Sequence, residues 1–109
     1  GPHLRTWLTA LLMATQPDAP GADPETSKLV KLGASPRAGL SMLRIARMKA
    51  LLAGRFHVSH EDLVEVALPA LRHRVLLGYE ARVRRIRVAE LLPTWMTKAA
   101  RVLEEESRS

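Results

Sequence analysis

The chain has 109 residues, enough for one domain with a modest core. Apolar residues make up 47% and aromatics only 4%, so the core must be built from Leu, Val, Ala and Met, which favours helices over sheets. Having no cysteine excludes disulfides and thiolate metal sites, no apolar run approaches the ~18 residues of a membrane span, and a net charge of +6 admits anionic partners without naming one.

Gly1-Pro2-His3 reads as a remnant of tag cleavage and is set aside, leaving residues 4–109 as a single helical domain. Leu4, Trp7, Leu8, Leu11 and Leu12 recur at helical spacing and predict a helix from Leu4 to Thr15, stopped by Pro17. Residues 16–28 are polar and carry Pro17, Pro20, Gly21 and Pro24, the composition of a flexible surface loop. Leu29 to Leu32 suits a short extended approach to the next helix.

That second helix opens on Ser35-Pro36. Serine is a favoured cap, accepting a free backbone N–H, and proline fits the first helical position. The helix is expected to run to Ala53, with Gly54 as terminator. Apolar residues cover most of its circumference, so it should sit centrally, with Arg37, Ser41, Arg44 and Arg47 on one outward stripe. Arg37 is out of place electrostatically. A helix N-terminus carries partial positive charge and prefers an acid. The arginine is either an ordinary surface charge or the mate of an anion outside this chain.

Ser59 starts a third helix, with Glu61 and Asp62 in the first turn and Pro69 as its expected end or kink. From Leu71 to Val88 there is no clear period, and Val83, Ile86 and Val88 suit a short extended segment. The last helix, from about Ala89 to Glu105, carries the stripe Leu91, Leu92, Trp95, Met96, Ala99, Val102 and Leu103. The expected architecture is all-α, a small bundle of about four helices.

Enzymatic signatures are missing. No phosphate-binding G-x-x-x-x-G-K-[ST] loop, G-x-S-x-G turn or cysteine nucleophile occurs. His57 and His60 flank Ser59, but a metal needs three convergent ligands, and no metal site is expected. The isolated chain is not expected to be an enzyme.

The stretch "LGASPRA", Leu32 to Ala38, resembles the sensor-II motif of the MoxR family of AAA+ ATPases. Two further blocks follow in the family's order: "ARMKALLAGRFHVSHEDL", Ala46 to Leu63, and "ALPALRHRVLL", Ala67 to Leu77. The sequence departs from the family at Arg55-Phe56-His57, usually Arg-Asp-Tyr, and at Ser59-His60, usually Thr-Pro. The match runs well from Leu4 to Leu77 and is looser beyond.

The resemblance implies the C-terminal helical lid of such an ATPase, whose nucleotide-binding core would precede Leu4. It implies that Arg37 is the sensor-II arginine facing the ATP γ-phosphate and that Gly33, Ser35 and Arg37 are the nucleotide-binding residues, with Gly33 letting the backbone turn tightly just before the helix. Arg44, two turns on, is either an exposed solvated charge or a contact to the core or a neighbouring subunit. ATP and Mg²⁺ belong to the full-length parent and are not expected on the fragment. Implied partners are the chain's own AAA+ core, neighbouring subunits of a hexamer and a von Willebrand factor A-domain protein, in chaperone-like remodelling in the cytoplasm. The fragment itself would be monomeric. One alternative is a small basic nucleic-acid-binding module using Arg44, Arg47 and the Arg82 to Arg87 cluster. The other is a protein-interaction module anchored by Trp95 and Met96.

Overall fold

The computed structural model describes residues 2–108. Gly1, first of the segment read as a cleavage remnant, and Ser109, last of the expected domain, lie outside the described residues. The chain folds as α1 (Pro2–Ala14), α2 (Pro24–Leu29), β1 (Val30–Leu32), α3 (Pro36–Leu52), α4 (His60–Leu71), β2 (Leu76–Leu77), α5 (Tyr79–Arg84) and α6 (Val88–Arg108). The all-α class stands. There are six described helices rather than about four, because two six-residue helices occupy stretches read as irregular.

Helix α1 packs chiefly against α6; its stripe buries Trp7, Leu8, Leu11 and Ala14, and α6 buries Leu91, Leu92, Trp95 and Ala99. Fully burying a leucine-sized side chain contributes about 1.5–3 kcal/mol, so this pair is a principal source of cohesion. Helix α1 also packs on α3, and α3 packs on α4. The principal extents are 44 × 34 × 19 Å.

The stretch 16–28 is more ordered in its chemistry than its composition predicts. Asp23 caps α2 by accepting N–H bonds from Glu25 and Thr26, with Pro24 at the first helical position. Thr26 is fully buried, and its hydroxyl accepts from Trp95 Nε1 at 2.9 Å. Lys98 reaches the Gly21 carbonyl at 2.6 Å, and Ser27 the Pro17 carbonyl at 2.8 Å. A tryptophan with 0% exposure and a satisfied N–H is a core residue, which removes Trp95 as a docking anchor.

The extended approach at Leu29 to Leu32 is present: β1 pairs antiparallel with β2, Val30 opposite Leu77 and Leu32 opposite Leu76, with a bulge between. The extended segment expected at Val83 to Val88 is not. There α5 ends, Arg85 takes a left-handed conformation (φ 58°) as its C-cap, and α6 begins at Val88. Helix α4 runs two residues beyond Pro69. Helix α6 passes through Pro93, whose missing N–H falls opposite Ala89 on the exposed side, where water can take the freed carbonyl. It continues past Glu105 to Arg108, which lies 4.0 Å from Glu104 one turn back.

Candidate functional site

Helix α3 buries a line of small residues and one methionine: Ala38, Gly39, Met42, Ala46 and Ala50. The expected central burial does not occur. Leu40, Ile45, Met48, Leu51 and Leu52 all remain exposed, Leu52 at 87%. Periodicity could not choose a face on so apolar a helix; the small-residue line wins because it lets α3 lie close to α1 and α4. The outward line is Arg37, Leu40, Arg44, Met48 and Leu51, at steps of three and four residues. Arginines alternate there with large apolar side chains, the make-up of a contact face. Arg47 is exposed beside it, and Ser41 is half-buried.

At the N-terminus of α3, Ser35 is the N-cap and Pro36 the first helical residue, as expected, but the Ser35 hydroxyl makes no capping hydrogen bond. The cap is closed by backbone alone, Ala38 N–H donating to the Ser35 carbonyl at 2.9 Å. No acid occupies the first turn. Arg37 is exposed and takes part in none of the ion pairs among the described residues.

Gly33 is needed for a reason other than a tight turn. A Cβ there would lie 2.6 Å from Gln16 Oε1 and 2.7 Å from the Thr15 carbonyl, too close for any other residue. The end of α1 therefore presses directly on the approach to α3. Thr15, fully buried, accepts from the Ala34 N–H at 2.9 Å and donates to the Leu12 carbonyl at 2.6 Å. Gln16 Nε2 donates to the Ala34 carbonyl at 2.7 Å. Sequence reasoning missed both residues. The available signal was that Thr15 falls four residues after Leu11 on the apolar stripe, where a hydroxyl must find a partner.

The other end of α3 closes on Gly54 (φ +79°), with Gly54 N–H donating to Leu51 O and Arg55 N–H to Ala50 O. Arg55 then grips Asp62, its two terminal guanidinium nitrogens each donating to one carboxylate oxygen at 2.7 Å. Asp62 also accepts from the Ser59 N–H, and Ser59 Oγ accepts from the Asp62 N–H, completing a capping box. The Arg55 guanidinium, helped by the Ser59 N–H, holds the Asp62 carboxyl well below the usual carboxylate range. Lys49 pairs with Glu65 across α3 and α4. His60 stands edge-on to Trp7, with ring centroids 4.8 Å apart. In the basic cluster, Arg84 is paired with Glu25 and Glu80, while Arg82, Arg85 and Arg87 are exposed.

The sequence profile of the AAA lid domain family matches residues 23–95, about two thirds of the chain and the whole of α2 to α5. The chain belongs to that family. This lid is 48% identical over 52 residues to the chaperone MoxR1 of Mycobacterium tuberculosis, a match covering 48% of the lid and 14% of MoxR1. It also superimposes on the crystal structure of a candidate ATPase from Cytophaga hutchinsonii with a TM-score of 0.82 and 31% identity. That alignment covers 90% of the lid and 30% of the other chain. The lid thus spans a minor part of both relatives, and its resemblance to the MoxR type, read from three sequence blocks, stands.

Proposed function

We propose that this lid carries the nucleotide sensor of a MoxR-type ATPase, with Arg37 reaching the γ-phosphate of ATP held by a core domain in the full-length parent. The observation that carries the reading is a fully charged side chain, exposed in the first turn of α3, with neither an acid nor a capping hydroxyl committed to that turn. Arginine suits this role because its planar, permanently charged guanidinium can grip two phosphate oxygens at once. The helix N-terminus adds partial positive charge toward the same anion. With no acid in that turn, the Mg²⁺ accompanying ATP would be held by the core. When bound, ATP supplies the energy-yielding phosphoryl group; Arg37 would orient it and offset its charge, tying lid position to the presence of the γ-phosphate.

The outward line of α3 continues from Arg37 through Leu40 and Arg44, so a body that Arg37 touches would also meet those two residues. Arg44 is assigned to this core or neighbouring-subunit contact. Assembly into a ring, a von Willebrand factor A-domain partner and chaperone-like remodelling in the cytoplasm complete the proposal. Among the described residues no helix is long and apolar enough to cross a membrane.

The test is Arg37→Ala in the full-length parent, with steady-state ATP hydrolysis measured. A sharp loss of turnover is expected. Hydrolysis at the parental rate would overturn the sensor role.

A further inference from the structure

We infer that Thr15 and Gln16, at the end of α1, are positioning residues that set the placement of Arg37; the inference rests on the sensor role proposed above. Both polar groups of a single residue, Ala34, are held by these two adjacent side chains. Its N–H goes to Thr15 Oγ1 at 2.9 Å and its carbonyl receives Gln16 Nε2 at 2.7 Å. The same two side chains are anchored on one carbonyl of α1, Leu12 O, at 2.6 Å from Thr15 Oγ1 and 3.2 Å from Gln16 Nε2. Gly33 seals the clamp from the other side by lacking a Cβ, which allows the contact with Gln16.

Arg37 follows closely on Ala34, with Ser35 and Pro36 alone between them. Pro36 has a fixed φ, and Ser35 makes no side-chain cap bond that could orient the helix start independently. The placement of the first turn of α3 is therefore dictated from outside the helix, by α1. Helix α1 in turn packs along α6. A displacement of α1 must carry Ala34 with it, and Arg37 a few bonds later. A clamp that merely satisfied buried polar groups would affect stability and leave Arg37 unaltered, and this is what the experiment separates.

The variant is Gln16→Met, which keeps the length of the side chain and removes the donor. In the 109-residue chain, backbone ¹⁵N relaxation is expected to give an Arg37 amide order parameter falling from about 0.85 toward 0.6, with α4 and α6 unchanged. In the full-length parent, Gln16→Met should lower kcat for ATP hydrolysis about tenfold, with KM changed less than about twofold, the pattern of a misplaced transition-state contact. Added to Arg37→Ala, it should have no further effect on kcat, because a residue acting through Arg37 has nothing left to position. Thr15→Ser, which keeps the hydroxyl, should behave as the parent.

Three results would overturn the clamp: an unchanged order parameter at Arg37, a parental kcat in Gln16→Met, or the same tenfold loss in the presence and absence of Arg37. Should Arg37→Ala leave hydrolysis unaltered, the sensor reading falls, and the clamp with it. An effect of Arg37→Ala without a matching, non-additive effect of Gln16→Met overturns the clamp alone.

Discussion

Helix α4 opens on Ser59 and helix α3 on Ser35, and the two starts are built in opposite ways. At α4 the serine hydroxyl accepts from the Asp62 N–H, while the Asp62 carboxylate accepts from the Ser59 N–H and the Arg55 guanidinium. At α3 the hydroxyl caps nothing, the first turn contains no acid, and the charge present is a cation. Local stability would favour the first arrangement at both places. A helix start that forgoes it, inside a domain that builds it just after α3 ends, is the arrangement the proposed nucleotide contact requires.

The contrast can be broken or sharpened by substitution. The largest effect belongs to the open end: Arg37→Ala should slow hydrolysis by the full-length parent on the order of 10²-fold or more, the scale of losing a charge aimed at a transferring phosphoryl group. The same substitution should leave thermal unfolding of the 109-residue chain nearly unaltered, since the side chain forms no ion pair within the domain. The closed end should answer in reverse. Asp62→Ala removes the capping box and leaves Arg55 without its partner, and it should lower the melting temperature more than any other substitution at either serine-initiated start.

Acid provides a second probe of the closed end. Because Asp62 is ionised more readily when folded than when unfolded, its stabilising contribution is complete above the ordinary aspartate value of about 4. It is lost progressively as pH falls below that, toward the lowered folded value. Melting temperatures recorded from about pH 6 downward should therefore drop more steeply below about pH 4 in the parent than in Asp62→Asn. The smallest effects separate the two serines. Ser59→Ala should cost about 1 kcal/mol, roughly 4–8 °C in a domain of this size, whereas Ser35→Ala should cost only a few tenths of a kcal/mol. Equal losses from the two would erase the distinction between an open and a closed start.

The Ser59 cap with acids in the first turn of α4 was legible in the sequence. So were β1 and the leucine stripe of α1, each carried by its own local pattern. The grip of Arg55 on Asp62 was not, because the Gly54 turn that brings them together leaves no periodic signal. Helices α2 and α5 were not, since six residues hold less than two turns and no period can be measured over them. The orientation of α3 was hidden for a different reason. Its apolar residues surround the helix, and only contact with α1 and α4 selects Ala38, Met42, Ala46 and Ala50 for burial. The choice leaves Leu40, Met48 and Leu51 outside beside the arginines. At the candidate site, Arg37 was visible as a misplaced charge and the family motif gave it a meaning. Its supports, Thr15 and Gln16, lie far earlier in the chain and meet Ala34 only through the fold.

A thickness of 19 Å is about two helix diameters. In a body so thin the buried core is close to both broad sides, and every one of its described helices exposes residues to solvent. It is a plate rather than a ball, and the close-packed side chains between its two broad sides yield little. Pressure applied on one side by a neighbouring body would reach the other as a tilt of the whole plate, with little lost to internal deformation.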